Sequence, residues 1–287
     1  AAVAATDPLA IDRRGLDADA IMAVGGDNRM VAFPYTKAVC AENRVDHGAA
    51  IVVCSVAAAD RLGVLRDRRV YPHRVVLATD SPSFLERARV TRAPGLEAAA
   101  AAVVDHTGGP EGIDHLDLYA CFPSMVEMTI DALDLDRTRR LTQTGGLGFA
   151  GAPFNTAAGQ GLAARVDTLR ADPGTVGLVQ GNGGSASKHA IGLCSTVPAP
   201  DGYDTVRLGT HPGPFTEATP HAAGPVVLEG LTVSHDREGP THALALCRLN
   251  RRTRTWARSS DPDVMAAFEH DEWVGRPAHV DGDVLHL

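Results

Sequence analysis

Apolar positions along residues 47–183 switch repeatedly between two periods. Residues 47–55 form a short apolar run rich in β-branched residues and entered through Gly48, which predicts a buried strand. A short helix over 56–62 follows, ended by Gly63 at the C′ position. Residues 69–77 read as a second extended segment. After the Pro94-Gly95 break, 96–106 predicts an alanine-rich helix, 113–121 alternates like a strand, and 125–133 reads as a further helix. A glycine-crowded stretch, Thr144 to Thr156, opens a helix over about 157–170; the Asp172-Pro173-Gly174 turn then leads to a strand over 176–180. Helices alternating with strands predict an α/β layer covered on both faces.

Residues 1 to about 45 are turn-rich and without sustained period. Near Pro198 the pattern changes again: helical periodicity mostly disappears, prolines and glycines recur, and short strands at 226–233, 243–249 and 254–258 alternate with turns. This predicts a small separate β domain, a partly open barrel, with 246–256 as a hairpin turning at 250–253.

The composition narrows the function classes. With 287 residues and 44% hydrophobic content, the chain can bury a substantial core and hold more than one domain. A net charge of -8 argues against a general nucleic-acid role, which needs a positive field, and favours small-molecule or protein partners. Lys37 and Lys188 are the only lysines beside abundant arginine. The five cysteines are widely spaced and lack a CxxC pair, so they indicate neither a disulfide framework nor a zinc site, and they place the protein in reducing cytoplasm. No apolar run is long enough to cross a bilayer, and the first residues lack the pattern of a signal peptide. The chain begins at Ala1 rather than at methionine, so it is expected to be part of a longer protein.

Several motifs weaken on inspection. Gly146-Leu-Gly-Phe-Ala-Gly151 matches GxGxxG, but the next strand ends in Gln180-Gly-Asn-Gly-Gly184, without the acid that would hold a ribose. Ser185-Ala-Ser-Lys188 matches SxxK, yet neither lysine is followed by Thr-Gly. The 12 histidines form no HExxH or HxH pattern, so no metal is assigned. Arg248, Arg251, Arg252, Arg254 and Arg258 around Trp256 are read as a solvated hairpin edge in preference to a phosphate or base site. What survives is the pair of glycine stretches. There the main chain at Gly151, Gly183 and Gly184 can approach a thioester carbonyl or phosphate closely, with Lys188 and His189 as polar neighbours; tight helix packing is the equal alternative.

The order of these pieces is specific. Tyr119-Ala-Cys-Phe122, then Thr144-Gly-Gly with Gly151-Ala-Pro153, then Gln180-Gly-Asn-Gly-Gly184 resembles the C-terminal half of the thiolase superfamily, nearest to sterol-carrier-type thiolases and type 1 thiolase-like proteins. Asp46-His-Gly-Ala-Ala50 leading to Ser55 resembles the end of the thiolase N-terminal domain. The resemblance implies a thiolase-like layered fold, with a remnant of the loop region and N-terminal domain over 1–92 and a C-terminal α/β domain over 93–197. An added β-rich domain similar to an oligonucleotide-binding barrel would occupy 198–287. It implies an acyl-CoA thioester as substrate or ligand, no further cofactor, and a protein partner or missing N-terminal half.

The same resemblance exposes losses. The family's oxyanion-hole Asn or His falls at Tyr119, its loop histidine at Ala152, and its acid/base cysteine near Gly181. Alanine and glycine transfer no protons, so normal thiolase chemistry is not expected. Cys121, Phe122, Gly146, Gly151, Pro153, Asn155, Asn182, Gly183, Gly184, Lys188 and His189 are the expected substrate-binding positions. Three functions follow in rank: an acyl-CoA-binding thiolase-like protein of the acyltransferase superfamily in lipid metabolism, a retro-aldol lyase using Tyr119 as acid/base, and a non-catalytic partner-binding module.

Overall fold

The structure, a computed structural model, describes residues 1–211 and 216–287. The chain divides into two compact units. The first comprises Ala1–Asp17, Ala41–Pro82 and Thr91–His211; the second comprises Ala18–Cys40, Ser83–Val90 and Pro212–Leu287, with 212–215 outside the described residues. The chain thus passes between units more often than the division at 92 and 197 anticipates.

Among the described residues, the first unit holds a five-stranded mixed sheet: β1 (Tyr71–Asp80), β2 (His115–Asp117), β3 (Val176–Gly183), β4 (Lys188–Ser195) and β5 (Asp204–His211), in the order β2-β3-β4-β1-β5. The β2–β3 and β1–β5 pairs are parallel, and β3–β4 and β4–β1 are antiparallel. The division at 197 assigns β5 to the tail. It lies next to a proline- and glycine-rich stretch, and only its pairing with β1 reveals where it belongs.

Before this sheet, α1 (Val56–Arg61) forms as expected, with Ser55 Oγ accepting from Ala58 N and Gly63 in the left-handed region. The expected strand at 47–55 does not form. No described residue pairs with it, and its apolar side chains stand in solvent, Val52 91% and Val53 83% exposed. β-propensity without a partner edge makes no strand.

One face of the sheet carries the core. Pro94 opens α2 (Pro94–Thr107), where its missing N–H costs nothing, and Gly108 ends it at φ 73°. Leu96, Ala99, Ala100 and Val103 fall on one helical face, and all are buried against Val76 and Ala78 of β1 and Ile191 and Leu193 of β4. α3 (Pro123–Leu133) adds Met125, Ile130 and Leu133 to the same cluster.

α4 (Leu147–Ala150) and α5 (Thr156–Ala171) follow the first glycine stretch. α5 lies on the opposite face of the sheet. Its small and long residues alternate in contact with the strands: a Cβ on Gly161 would stand 2.0 Å from Asp117 Oδ2, and the Arg165 side chain lies against Gly177. Burial pulls the Arg165 guanidinium below its ordinary pKa, and its Nη2 donates to Leu178 O at 2.5 Å. Over β1, β4 and β5 this face is only half covered: Leu77 and Ala190 are partly exposed and Arg207 is exposed. The expected covering of both faces is therefore incomplete.

In the second unit, β6 (Ala222–His235), β7 (Pro240–Arg248), β8 (Thr253–Ser259), β9 (Pro277–Gly282) and β10 (Val284–His286) pair in the order β6-β7-β8-β10-β9, and β9 pairs back to β6. These strands close into a barrel, and a short ribbon of Met30–Ala32 and Tyr35–Thr36 extends beside β6. The β7–β8 hairpin stands where its alternation predicted. α6 (Pro262–His270), between β8 and β9, has no counterpart in the sequence reading; Asp261 caps it by accepting from Asp263 N, and Val264, Met265 and Phe268 are buried in the barrel core. Arg254 is no solvated edge residue. It is 3% exposed, donates from Nε to Glu229 Oε2 at 2.5 Å and from Nη2 to Ala88 O at 2.9 Å.

Candidate functional site

The two glycine stretches differ in kind. The first surrounds α4: Gly145 (φ 103°) and Gly151 (φ 97°) adopt a conformation that favours glycine, and a Cβ on Gly151 would stand 2.8 Å from His47 Cε1. Much of its main chain is already bonded. Gly145 N donates to Thr142 Oγ1, Phe149 N and Ala150 N to Gly146 O, and Ala152 N to Glu42 O. The second stretch is no open loop, because Gly181, Asn182 and Gly183 continue β3 in antiparallel register with Ala190, His189 and Lys188. Only Gly184 to Ser187 turn the chain, with Gly184 at φ 62° and Ala186 at φ 50°.

On the half-covered face of the sheet lies a cavity of about 590 Å³. Tyr119, Asn155, Gly181, Asn182, Gly183, Lys188 and His189 line it, so residues nominated from three separate stretches of sequence converge there. Cys121, Phe122, Gly146, Gly151, Ala152, Pro153 and Gly184 do not line it. Ala152 instead packs with Leu147 and Ala157 in a small cluster bordered by Tyr119 and Cys121.

The sheet register explains the convergence. Gly181, Ala190, Leu77 and Arg207 stand in one row across β3, β4, β1 and β5, and Gly183, Lys188 and Thr79 form a second row two residues along. Both rows therefore face the same way. The glycines leave room above β3, Leu77 and Ala190 form an apolar floor, and Phe154 contributes an exposed ring. Lys188 and Arg207 are the cations of the lining; neither makes an ion pair among the described residues, and no carboxylate lines the cavity. Sequence reasoning missed Arg207 by assigning its strand to the tail; the alternation of residues 204–211 carried the available signal.

Tyr119 is held by its main chain: its N–H donates to Gln180 Oε1 at 3.0 Å, and Gln180 is tied in turn to Thr129. Its phenol has no hydrogen-bond partner among the described residues, and burial, assisted by Cys121, raises its pKa. Burial likewise raises the Cys121 thiol. The neutral phenol is thus the form present near neutral pH, able to donate a proton or a hydrogen bond.

Behind the cavity a chain of polar groups joins Asn182 and His189, both expected from the sequence, to Asp80, which sequence reasoning missed. Gly95 N donates to Asp80 Oδ1 at 2.8 Å, His189 Nε2 lies 2.9 Å from Asp80 Oδ2, and Asn182 Nδ2 lies 3.3 Å from His189 Nδ1. The Asp80 and His189 side chains are almost wholly buried, and Gly95 leaves the space they need, since a Cβ there would stand 2.9 Å from Asp80 Oδ2. Asp80 and His189 are 109 positions apart, and no local pattern pairs them.

Among the described residues no group of three or more His, Cys, Asp or Glu gathers that could hold a metal ion, and no helix is long and apolar enough to cross a membrane.

No protein-family model and no curated protein matches the sequence. Among solved structures, a monomeric SCP2-thiolase-like protein of type 1 from Mycobacterium smegmatis is 28% identical, with a TM-score of 0.83 over 98% of this chain. The chain spans 63% of that protein's length. Sheet, helices and comparison together give the chain a thiolase-like fold.

Proposed function

We propose that this chain binds acyl-CoA thioesters as a thiolase-like protein without normal thiolase acid/base chemistry, acting in cytoplasmic lipid metabolism. The observation that carries the reading is the cavity: an apolar floor, a neutral phenol at Tyr119, and two cations, Lys188 and Arg207, that among the described residues have no ion-pair partner and face no carboxylate in the lining. In a chain of net charge -8, such a lining favours an anionic ligand with an apolar part. Arg207 stands about 14 Å from Gly181 across three strand spacings, so a thioester over Gly181 would leave room for an extended anionic group to reach it. Ala152 and Gly181 supply no proton carrier, which removes the Claisen step and leaves binding.

In this reading the chain represents the C-terminal half of a type 1 thiolase-like protein, and the second unit is its additional OB-like domain. The barrel order β6-β7-β8-β10-β9, with α6 between β8 and β9 along the chain, supports that assignment. The rest of the thiolase-like fold would cover the exposed Val52 and Val53.

Titration calorimetry with acetyl-CoA, longer acyl-CoAs and free CoA tests the reading. Binding that strengthens with acyl length and falls in Lys188→Ala and Arg207→Ala is expected; absence of binding by the folded protein overturns it.

The Tyr119 phenol, without a hydrogen-bond partner among the described residues, favours one further reading, retro-aldol cleavage of a β-hydroxyacyl-CoA with Tyr119 as acid/base. A Tyr119→Phe variant that cleaves as fast as the wild type would remove it.

A further inference from the structure

The sheet register sets the two cations of the cavity apart. Lys188 stands opposite Gly183 of β3 on one side and Thr79 of β1 on the other. Thr79 Oγ1 is already engaged: it donates to Gly209 O at 3.1 Å and lies 2.8 Å from Thr210 Oγ1. Gly183 has no side chain, and the Lys188 stem leans into that space, since a Cβ on Gly183 would meet both Lys188 Cβ and Cδ at 3.6 Å. The stem therefore runs toward β3, the strand of Gly181, and away from Arg207, which stands on β5 beyond β1. Lys188 is one strand and two residues from Gly181, about 8 Å in the plane of the sheet, against about 14 Å for Arg207.

These spacings sort the anionic groups of a thioester placed over Gly181. Between the sulfur and the first phosphate, CoA carries a pantetheine arm with about as many bonds as four extended residues, ~14 Å. An arm laid across β4 and β1 brings that phosphate to Arg207 and carries it past Lys188. A carboxylate on the acyl side stays close: in a four-carbon diacid it lies three bonds from the thioester carbon, about one residue's length, ~3.5 Å. We propose that Lys188 receives such a carboxylate and makes the site prefer thioesters of short dicarboxylic acids, while Arg207 receives the CoA phosphates. The inference rests on the acyl-CoA reading above and names its substrate class. Lys188 is then a specificity-determining residue, and Gly183 gives its stem the room to lean toward the acyl group.

Calorimetry on the full chain at low salt compares succinyl-CoA with butyryl-CoA, which differ only by a terminal carboxylate in place of a methyl group, and with free CoA. Lys188 is exposed, so solvent screens the pair and the preference is modest: succinyl-CoA is expected to bind about fivefold tighter than butyryl-CoA. Lys188→Met keeps the apolar stem and removes the charge. It is expected to weaken succinyl-CoA about tenfold and butyryl-CoA only about twofold, through the lost field, so that the preference disappears. Lys188→Arg restores it. Arg207→Met is expected to weaken all three ligands by one common factor.

Equal binding of succinyl-CoA and butyryl-CoA by the wild type overturns the inference while leaving the acyl-CoA reading standing. So does equal weakening of all three ligands by Lys188→Met, which would assign this cation to the CoA phosphates. A preference for succinyl-CoA lost in Arg207→Met and kept in Lys188→Met overturns it too, by exchanging the two cations. Binding of no thioester at all removes that reading and this inference with it.

Discussion

The Cα of Gly161 stands so close to the Asp117 carboxylate that a methyl group at 161 would lie 2.0 Å from Oδ2. Asp117 cannot swing aside freely, because its Oδ1 accepts from Thr142 Oγ1 at 2.8 Å and from Gln143 N at 2.9 Å. Alanine in a helix interior normally gains about 1 kcal/mol over glycine, whereas forcing a group into filled space costs about 1–3 kcal/mol. The clash should win here. Gly161→Ala is expected to lower stability by about 2 kcal/mol in urea denaturation. Gly159→Ala, in the same helix, meets only Ala49 Cβ at 3.4 Å, and should be neutral or stabilising by about 0.5 kcal/mol. A rise in the midpoint for Gly161→Ala would refute the packing argument.

The thiols should separate by burial. Desolvation pushes Cys194 up to about 11 and Cys247 up to about 12, while Cys54 is exposed. The thiolate is the reactive form, so with a disulfide reagent at pH 8 Cys54 should react first and Cys194 and Cys247 only on unfolding. The linked effect on stability has a definite sign. A thiol whose folded pKa is raised contributes stability that is complete below its unfolded value, about 8.5, and is lost as pH rises through the folded value. Denaturation midpoints should therefore decline from about pH 9 upward, and less so in Cys194→Val.

Tyr119 should titrate late. Burial, the larger cause, and the neighbouring Cys121 both raise its pKa, so the neutral phenol persists above the ordinary tyrosine range near 10. In an alkaline absorbance titration, Tyr119→Phe should remove the latest-rising part of the phenolate signal and leave the early part unchanged. Ligand affinity that depends on Tyr119 should be flat between about pH 6 and 9. A loss of early phenolate signal in the variant would place Tyr119 in a solvated setting and contradict the burial.

Local grammar carried much of this fold. α2 and α3 announce themselves by Pro94 and Pro123 at the first helical position, and α2 also by Gly108 past its end, and the β7–β8 hairpin by alternation around a polar turn. What failed depended on partners distant in sequence. Residues 47–55 have every local feature of a strand but find no edge, and 204–211 join β1 across 130 positions of sequence. α6 escapes the sequence reading even though Asp261-Pro262 is a start signal, because the surrounding strands dominate the pattern. At the site the same division holds: Tyr119, Asn182 and Lys188 were visible through glycine spacing and family likeness, while Asp80 and Arg207 enter only through sheet register.

Within the barrel unit, two arginines on one strand should behave oppositely. Arg254 is buried, shares Glu229 with Arg248, and spends further N–H groups on the main chain at Arg87 and Ala88 and on Thr216 Oγ1 at 3.1 Å. Arg254→Ala removes its own bonds to Glu229, Arg87 O, Ala88 O and Thr216 Oγ1 and empties the buried space its guanidinium fills, so a loss of about 3 kcal/mol is expected. Arg258 pairs with Asp283 at 3.0 Å, but both side chains are at least half exposed, so solvent screens the attraction. Arg258→Ala should cost less than about 0.5 kcal/mol. Thermal unfolding followed by circular dichroism compares the two. Salt adds a second discriminator: the Arg258 effect should vanish at high ionic strength, whereas the Arg254 effect, shielded from counterions and made largely of bonds to neutral carbonyls, should persist.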